Sequence, residues 1–165
     1  MAIAPKAVPD NAGGGSSARR NRKKGVMARP VVLLADDEPC ITHMVGSVLR
    51  GRGMEVITAR NGADALALAL EKRPHLIVTD YQMPKMDGLQ LATRLRSEEA
   101  TCETPVIMLT ARGHKLSAAE LQGTCIHQLM SKPFSARELV AAIVEVFEQL
   151  GVEHDGAIDS VGVEG

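Results

Sequence analysis

Four short strand-like segments of this 165-residue chain end in side chains able to handle metal ions and phosphoryl groups. Asp36-Asp37-Glu38 follows the run 31–35, Asp80 follows 76–79, Thr110 follows 105–109, and Lys132-Pro133 follows 126–131. Each has an ordinary structural explanation by itself. The acids before Pro39 can cap a helix, Asp80 can make a turn, Thr110 can stop a strand, and Lys132 can be a solvated lysine. Taken together they suit one task. Carboxylates from neighbouring strands make a hard-oxygen site for Mg²⁺, which takes a few carboxylates plus water and phosphate oxygens. A carboxylate beside such an ion can attack phosphorus. A lysine and a hydroxyl can then take up charge on the equatorial oxygens of the transferring group.

Those groups converge only if the runs that carry them are strands of one parallel sheet. The pattern supports this, because short apolar runs alternate five times with longer helical segments. The predicted strands are β1 (31–35), β2 (54–58), β3 (76–79), β4 (105–109) and β5 (126–131). β1, β3 and β4 are continuously apolar, as interior parallel strands are, and β2 alternates like an edge strand. Helix α1 (39–51) places Ile41, Met44, Val45 and Val48 on one face and stops at Gly51. In α2 (62–72) Leu66, Leu68 and Leu70 also alternate like a strand, but the alanine content and the Leu66 to Leu70 spacing favour helix. α3 covers 88–98, and α4 (115–122) is short and weakly patterned. α5 opens with the capping box Ser135-Ala136-Arg137-Glu138 and repeats Leu139, Ile143, Val146/Phe147 and Leu150 before Gly151. In such sheets ligands bind beyond the carboxyl ends of the strands, where strand order reverses.

Composition sets the frame. Hydrophobic residues at 45% and charged residues at 24% are ordinary for a globular domain, and exclude collagen, coiled coil and wholesale disorder. Two Phe, one Tyr and no Trp argue against a nucleic-acid platform of stacked rings. No apolar run approaches the roughly 18–20 residues of a membrane span, and the N-terminus lacks the order of a secretory signal, so a cytoplasmic location is expected. Cys40, Cys102 and Cys125 fit neither a disulfide framework nor a zinc pattern and read as reduced thiols. Charge divides along the chain. Residues 1–30 carry seven Lys/Arg against Asp10, 31–150 carry 12 basic and 15 acidic groups, and 151–165 carry four acids. Residues 1–29 read as a disordered basic tail, 30–150 as one domain, and 151–165 as a flexible acidic tail. The run Arg19-Arg20-Asn21-Arg22-Lys23-Lys24 reads as a solvated tail rather than a nucleic-acid contact.

The stretches VVLLADDEP, LIVTDYQMPKMDG, VIMLTA and LMSKPFS resemble, in order and spacing, the receiver domain of bacterial two-component response regulators, over about residues 30–150. The resemblance implies a flavodoxin-like, doubly wound five-stranded parallel sheet of order 2-1-3-4-5 with five helices. It implies Asp80 as phosphoacceptor and Asp36 and Asp37 as the acidic pair around Mg²⁺. Asp37 would be a direct ligand together with Asp80 and the main-chain carbonyl of Gln82. Thr110 matches the switch hydroxyl and Lys132 the lysine that meets the phosphoryl group, with Lys132-Pro133 a cis peptide. In MPKMDG, Pro84 would fix the backbone and Gly88 would open α3. Two positions depart from the family: Leu129 stands where Tyr or Phe is usual, with no ring to rotate towards Thr110, and Cys125 stands where Gly is usual.

The function implied is that of a single-domain response regulator. It would take a phosphoryl group from a histidine kinase or histidine phosphotransfer protein and signal to a downstream protein through the α4–β5–α5 face. Only 15 residues follow α5, so no output domain is expected there. Such a protein is no enzyme beyond its own phosphorylation and dephosphorylation. A module that has lost the chemistry is disfavoured by the intact set Asp36, Asp37, Asp80, Thr110 and Lys132. A haloacid-dehalogenase-like phosphatase is disfavoured because Gln82 stands where a second acid is needed.

Met27-Ala28-Arg29-Pro30 leads directly into β1 and can serve as a start. Deleting residues 1–26 is expected to leave the rate of labelling from a small phosphodonor unchanged. A greatly reduced rate would put the tail inside the functional unit.

Overall fold

The computed structural model describes residues 29–111 and 115–152. The expected tails, 1–29 and 151–165, lie outside the described residues except for Arg29, Gly151 and Val152. Five strands, β1 (Val31–Ala35), β2 (Glu55–Ala59), β3 (Leu76–Asp80), β4 (Val106–Thr110) and β5 (Ile126–Ser131), form one parallel sheet of order β2-β1-β3-β4-β5. Between them run α1 (Pro39–Gly51), α2 (Gly62–Lys72), α3 (Gly88–Ser97), α4 (Ala118–Gln122) and α5 (Ala136–Leu150). The order of the strands reverses between β1 and β3.

Alternation along β1 explains the layering. Val32 and Leu34 join α1 and α5 in one core, with Val45, Leu49, Ile143 and Phe147, while Leu33 and Ala35 join α2 and α3 in the other, with Leu66, Leu91 and Leu95. Register then brings the strand ends level: Ala35 lies beside Thr79, Asp80 beside Leu109, and Thr110 beside Ser131.

Local differences from the sequence reading have physical causes. The stripe of α1 runs through Ile41, Val45, Val48 and Leu49, which leaves Met44 exposed. β2 starts one residue later than read, because buried Met54 closes the α1 turn by donating its N–H to Leu49 O at 3.1 Å. α4 starts at Ala118 rather than 115, because Ser117 forms a capping box with Glu120, and the short helix buries none of its residues. The α5 box is present, with Glu138 held below its usual pKa by the Ser135 backbone N–H and hydroxyl. Past it, Leu150 is exposed.

Two glycines sit where backbone approaches backbone. Gly88 donates to Tyr81 O at 2.8 Å, and a Cβ there would lie 2.4 Å from Asp80 O. Gly62 donates to Met86 O at 3.1 Å, and its Cβ would lie 2.2 Å from that oxygen. Together they fasten the loop 81–87 to the end of β3 and to the start of α2. Gly88→Ala is expected to destabilise the fold by about 1–3 kcal/mol, as overpacking does. Gly123→Ala, where nothing lies within 4 Å of the added carbon, should stay within about 0.5 kcal/mol. Urea unfolding midpoints of the two variants, compared at equal m-value, check this.

Candidate functional site

The carboxyl end of β1 turns sharply. Asp36 N–H donates to Ala59 O at 3.1 Å on the neighbouring strand, and Asp36 Oδ1 accepts the Glu38 N–H at 2.9 Å. Glu38 is the N-cap of α1 but makes no side-chain cap, and Pro39 takes the first helical turn. Capping therefore does not explain the acidic run. Asp36 is buried, with 2% of its surface exposed, and its Oδ2 has no hydrogen-bond partner among the described residues. Burial, reinforced by the charges of Asp80 and Glu38, outweighs the Glu38 N–H and Lys132 and pushes its pKa up to about 6.

Asp80, also buried, closes β3. Lys132 reaches it from the end of β5, with Nζ 3.0 Å from Asp80 Oδ1, 3.8 Å from Asp36 Oδ2 and 3.9 Å from Glu38 Oε1. Burial pulls the lysine pKa down, but the hydrogen bond with Asp80 and the charges of Asp36, Asp80 and Glu38 more than offset it. The ammonium is held above its ordinary value. Oxygens of Asp36, Asp37 and Asp80 all lie within 4.8 Å of one another, a donor set that could hold a metal. Asp37 is the exposed member of that set.

Thr110, buried at the end of β4, donates its hydroxyl to Met130 O at a long 3.4 Å, and its carbonyl accepts the Lys132 N–H at 2.7 Å. The Lys132–Pro133 peptide is cis. Asp36, Asp37, Asp80 and Lys132 thus come together, with Thr110 beside them on the next strand. Gln82 lies in the loop after β3 with its side chain exposed, and Leu129 points to solvent on β5, 37% exposed. Cys125 packs ahead of β5 with Sγ 3.5 Å from Ala92 O, and burial pushes its thiol up to about 11. All three cysteines are free. The register between β4 and β5 slips by one residue at this end, between Val106 and Ile107.

Two residues turn out to do more than the sequence reading gave them. Glu38 contributes both its N–H and its charge, and only its adjacency to Asp37 hinted at this. Thr79, facing the opposite core, donates to Asp80 O at 2.9 Å and lies 3.9 Å from Met83 Sδ, bracing the turn into the loop. Nothing in a threonine inside an apolar strand signals that.

Residues 32–144 match the sequence model of the response regulator receiver domain. The chain belongs to this family. Among relatives of the receiver, the phosphate regulon transcriptional regulatory protein PhoB of Pseudomonas aeruginosa is 35% identical over 82% of this chain and 59% of its own length. The DNA-binding dual master transcriptional regulator RpaA of Synechocystis is 35% identical over 69% of this chain and 47% of its own. The chain thus spans about half the length of the curated relatives it matches. Among solved structures, the chemotaxis response regulator CheY4 of Vibrio cholerae superposes with a TM-score of 0.67 at 31% identity, over 72% of this chain and 99% of that one. The receiver domain of the sensor histidine kinase PA1611 of P. aeruginosa, solved with a magnesium ion in its active-site cleft, gives 0.64 at 25% identity, over 72% and 97%. Among the described residues no helix is long and apolar enough to cross a membrane.

The raised pKa of Asp36 fixes the sign of a pH effect. Between its ordinary value of 3.8 and about 6 the folded receiver holds a proton that the unfolded chain has released. Stability therefore falls as pH rises through that window, and the cost is fully present above it. In the absence of divalent ions, Asp36→Asn is expected to be more stable than wild type near pH 7.5 by on the order of 2 kcal/mol, with the gain vanishing near pH 4. Urea unfolding at both pH values checks it.

Proposed function

We propose that this receiver accepts a phosphoryl group on Asp80 from the phosphohistidine of a histidine kinase or histidine phosphotransfer protein, and passes the signal to a partner protein by changing conformation. The observation that carries the reading is the 3.0 Å contact of Lys132 Nζ with Asp80 Oδ1, inside a ring of carboxylates at the end of a parallel sheet. With one oxygen engaged by the lysine, the other Asp80 oxygen is the nucleophile. It forms the new O–P bond as the N–P bond to the donor imidazole breaks, and the imidazole leaves with its electron pair and takes up a proton. Lys132 is placed to follow the incoming oxygens, and the long Thr110 hydroxyl bond is one that a phosphoryl oxygen can replace.

The donor set fits Mg²⁺, being all oxygen and including a buried Asp36 oxygen without a hydrogen bond. Asp36, Asp37, Asp80 and the main-chain carbonyl of Gln82 would hold the ion, which when bound supplies positive charge to the transferring phosphoryl oxygens. Magnesium in the cleft of the PA1611 receiver supports the assignment. The protein would act in the cytoplasm as a signalling phosphoacceptor, with only self-phosphorylation and self-dephosphorylation as chemistry of its own.

Phosphorylation adds about 1.5 to 2 negative charges. Thr110 is tied to β5 at Met130 and Lys132, and α4 buries no residue, so its hold on the core is slight. The α4–β5–α5 face is therefore the proposed output surface, with Leu129 repacking rather than swinging inward.

With Mg²⁺ and a small phosphodonor, label should appear on Asp80 as a hydroxylamine-labile acyl phosphate. It should vanish in Asp80→Asn and form about 10²-fold more slowly in Lys132→Ala. Full labelling of Asp80→Asn would sink the assignment. With beryllofluoride, the largest NMR shifts outside the site are expected in about residues 110–132. Shifts confined to α1 and α2 would move the output elsewhere.

A further inference from the structure

The end of the sheet opposite Asp80 carries a second feature. A groove of about 390 Å³ opens there between the segments leading into β3 and β4 and the end of α5, lined by Pro74, His75, Glu99, Glu103, Pro105 and Leu150. Its walls are mixed in kind. Leu150 presents a largely exposed side chain, and Glu99 and Glu103 stand exposed on the turn that follows α3. Among the described residues neither glutamate has an ion pair. The guanidinium of Arg96, an arginine of α3, is directed to the Cys102 carbonyl at 3.0 Å. The groove thus offers two uncompensated carboxylates beside apolar surface.

The chain enters the fold at this end, because all strands of the parallel sheet begin there. Val31 N–H donates to His75 Nδ1 at 3.0 Å and Val31 O accepts the His75 N–H at 2.8 Å, so the entry point touches the groove wall itself. Seven residues upstream ends the run Arg19-Arg20-Asn21-Arg22-Lys23-Lys24, with five positive charges and no acid. Seven residues of extended chain reach about 23–25 Å, enough to bring the run over the groove. The acidic segment 153–165, which follows Val152 in the sequence, carries the same sign of charge as the groove and does not suit it.

We infer that the basic segment Arg19–Lys24 of this same chain docks on the groove, its cations meeting Glu99 and Glu103 and its aliphatic stems lying against Leu150 and Val152. Such docking needs no regular structure in the segment. It is held by charge and screened by salt. It covers the end of the sheet remote from Asp80, in keeping with the expectation that phosphorylation does not require the segment.

The test uses the full chain, labelled with ¹⁵N, in four versions: wild type, a tail variant with Arg19→Gln, Arg20→Gln, Arg22→Gln, Lys23→Gln and Lys24→Gln, a groove variant with Glu99→Gln and Glu103→Gln, and the two sets of substitutions combined. At low salt the amide signals of His75, Ala100, Glu103 and Leu150 are expected to differ between wild type and tail variant. The difference should disappear at about 1 M salt, where the screening length is about 3 Å. Tail substitutions made in the groove variant should change nothing further. Identical groove signals in wild type and tail variant at low salt would overturn the docking. Differences that grow with protein concentration would overturn the same-chain assignment in favour of a second copy. Retention of a DNA duplex by the tail with the groove silent would give the run to nucleic acid instead.

Discussion

Three carboxylates whose oxygens fit within 4.8 Å repel one another, and the structure around them is arranged to bear that repulsion. Two of the three are buried, where water cannot screen them. The only cation brought to them among the described residues is Lys132, carried on the far side of β4 at the end of β5. The interaction is unequal. The lysine meets Asp80 at hydrogen-bond distance and Asp36 only at 3.8 Å, which leaves Asp36 with a raised pKa and one oxygen unbonded. Lys132 therefore offsets the charge of Asp80 more than that of Asp36.

The rest of the fold fixes the distances within this cluster. Interior strands with unbroken apolar sequence cannot slip without exposing their side chains, so the levels of Asp36, Asp80 and Thr110 are set by core packing on both faces of the sheet. The loop after Asp80 is pinned by two glycines at which backbone meets backbone. Tolerance is placed elsewhere. α4 has no buried residue, β5 is an edge strand, and the slip at the start of the β4–β5 ladder occurs on that same side. The site is thus closely packed, while the element beside it, α4, buries nothing of its own.

The two ends of the sheet differ in chemistry for one topological reason. In a parallel sheet every strand starts at one end of the sheet and finishes at the other, so strand-end polar residues gather at one end and chain entry and exit at the other. Asp36, Asp80, Thr110 and Lys132 occupy the first. Val31, His75, Pro105 and Val152 mark the second.

The sequence by itself determined the strand and helix order, the parallel sheet and the residues at its ends, since these follow from short-range periodicity and from where polar groups interrupt apolar runs. β5 and the bounds of α1 and α2 agree with it to the residue. It could not supply what depends on distance. That Glu38 faces Lys132, that Thr79 braces Asp80, that Asp36 keeps an unpartnered oxygen, and that Gly62 must be glycine because Met86 O lies against it are facts between residues remote in the chain or turned by the backbone. Met44 shows the same limit from the other side. Helical spacing places it near the apolar stripe, but only the packing of α1 against α5 and the sheet decides which edge of that stripe is buried. Periodicity specifies a face, and tertiary contact chooses its boundary.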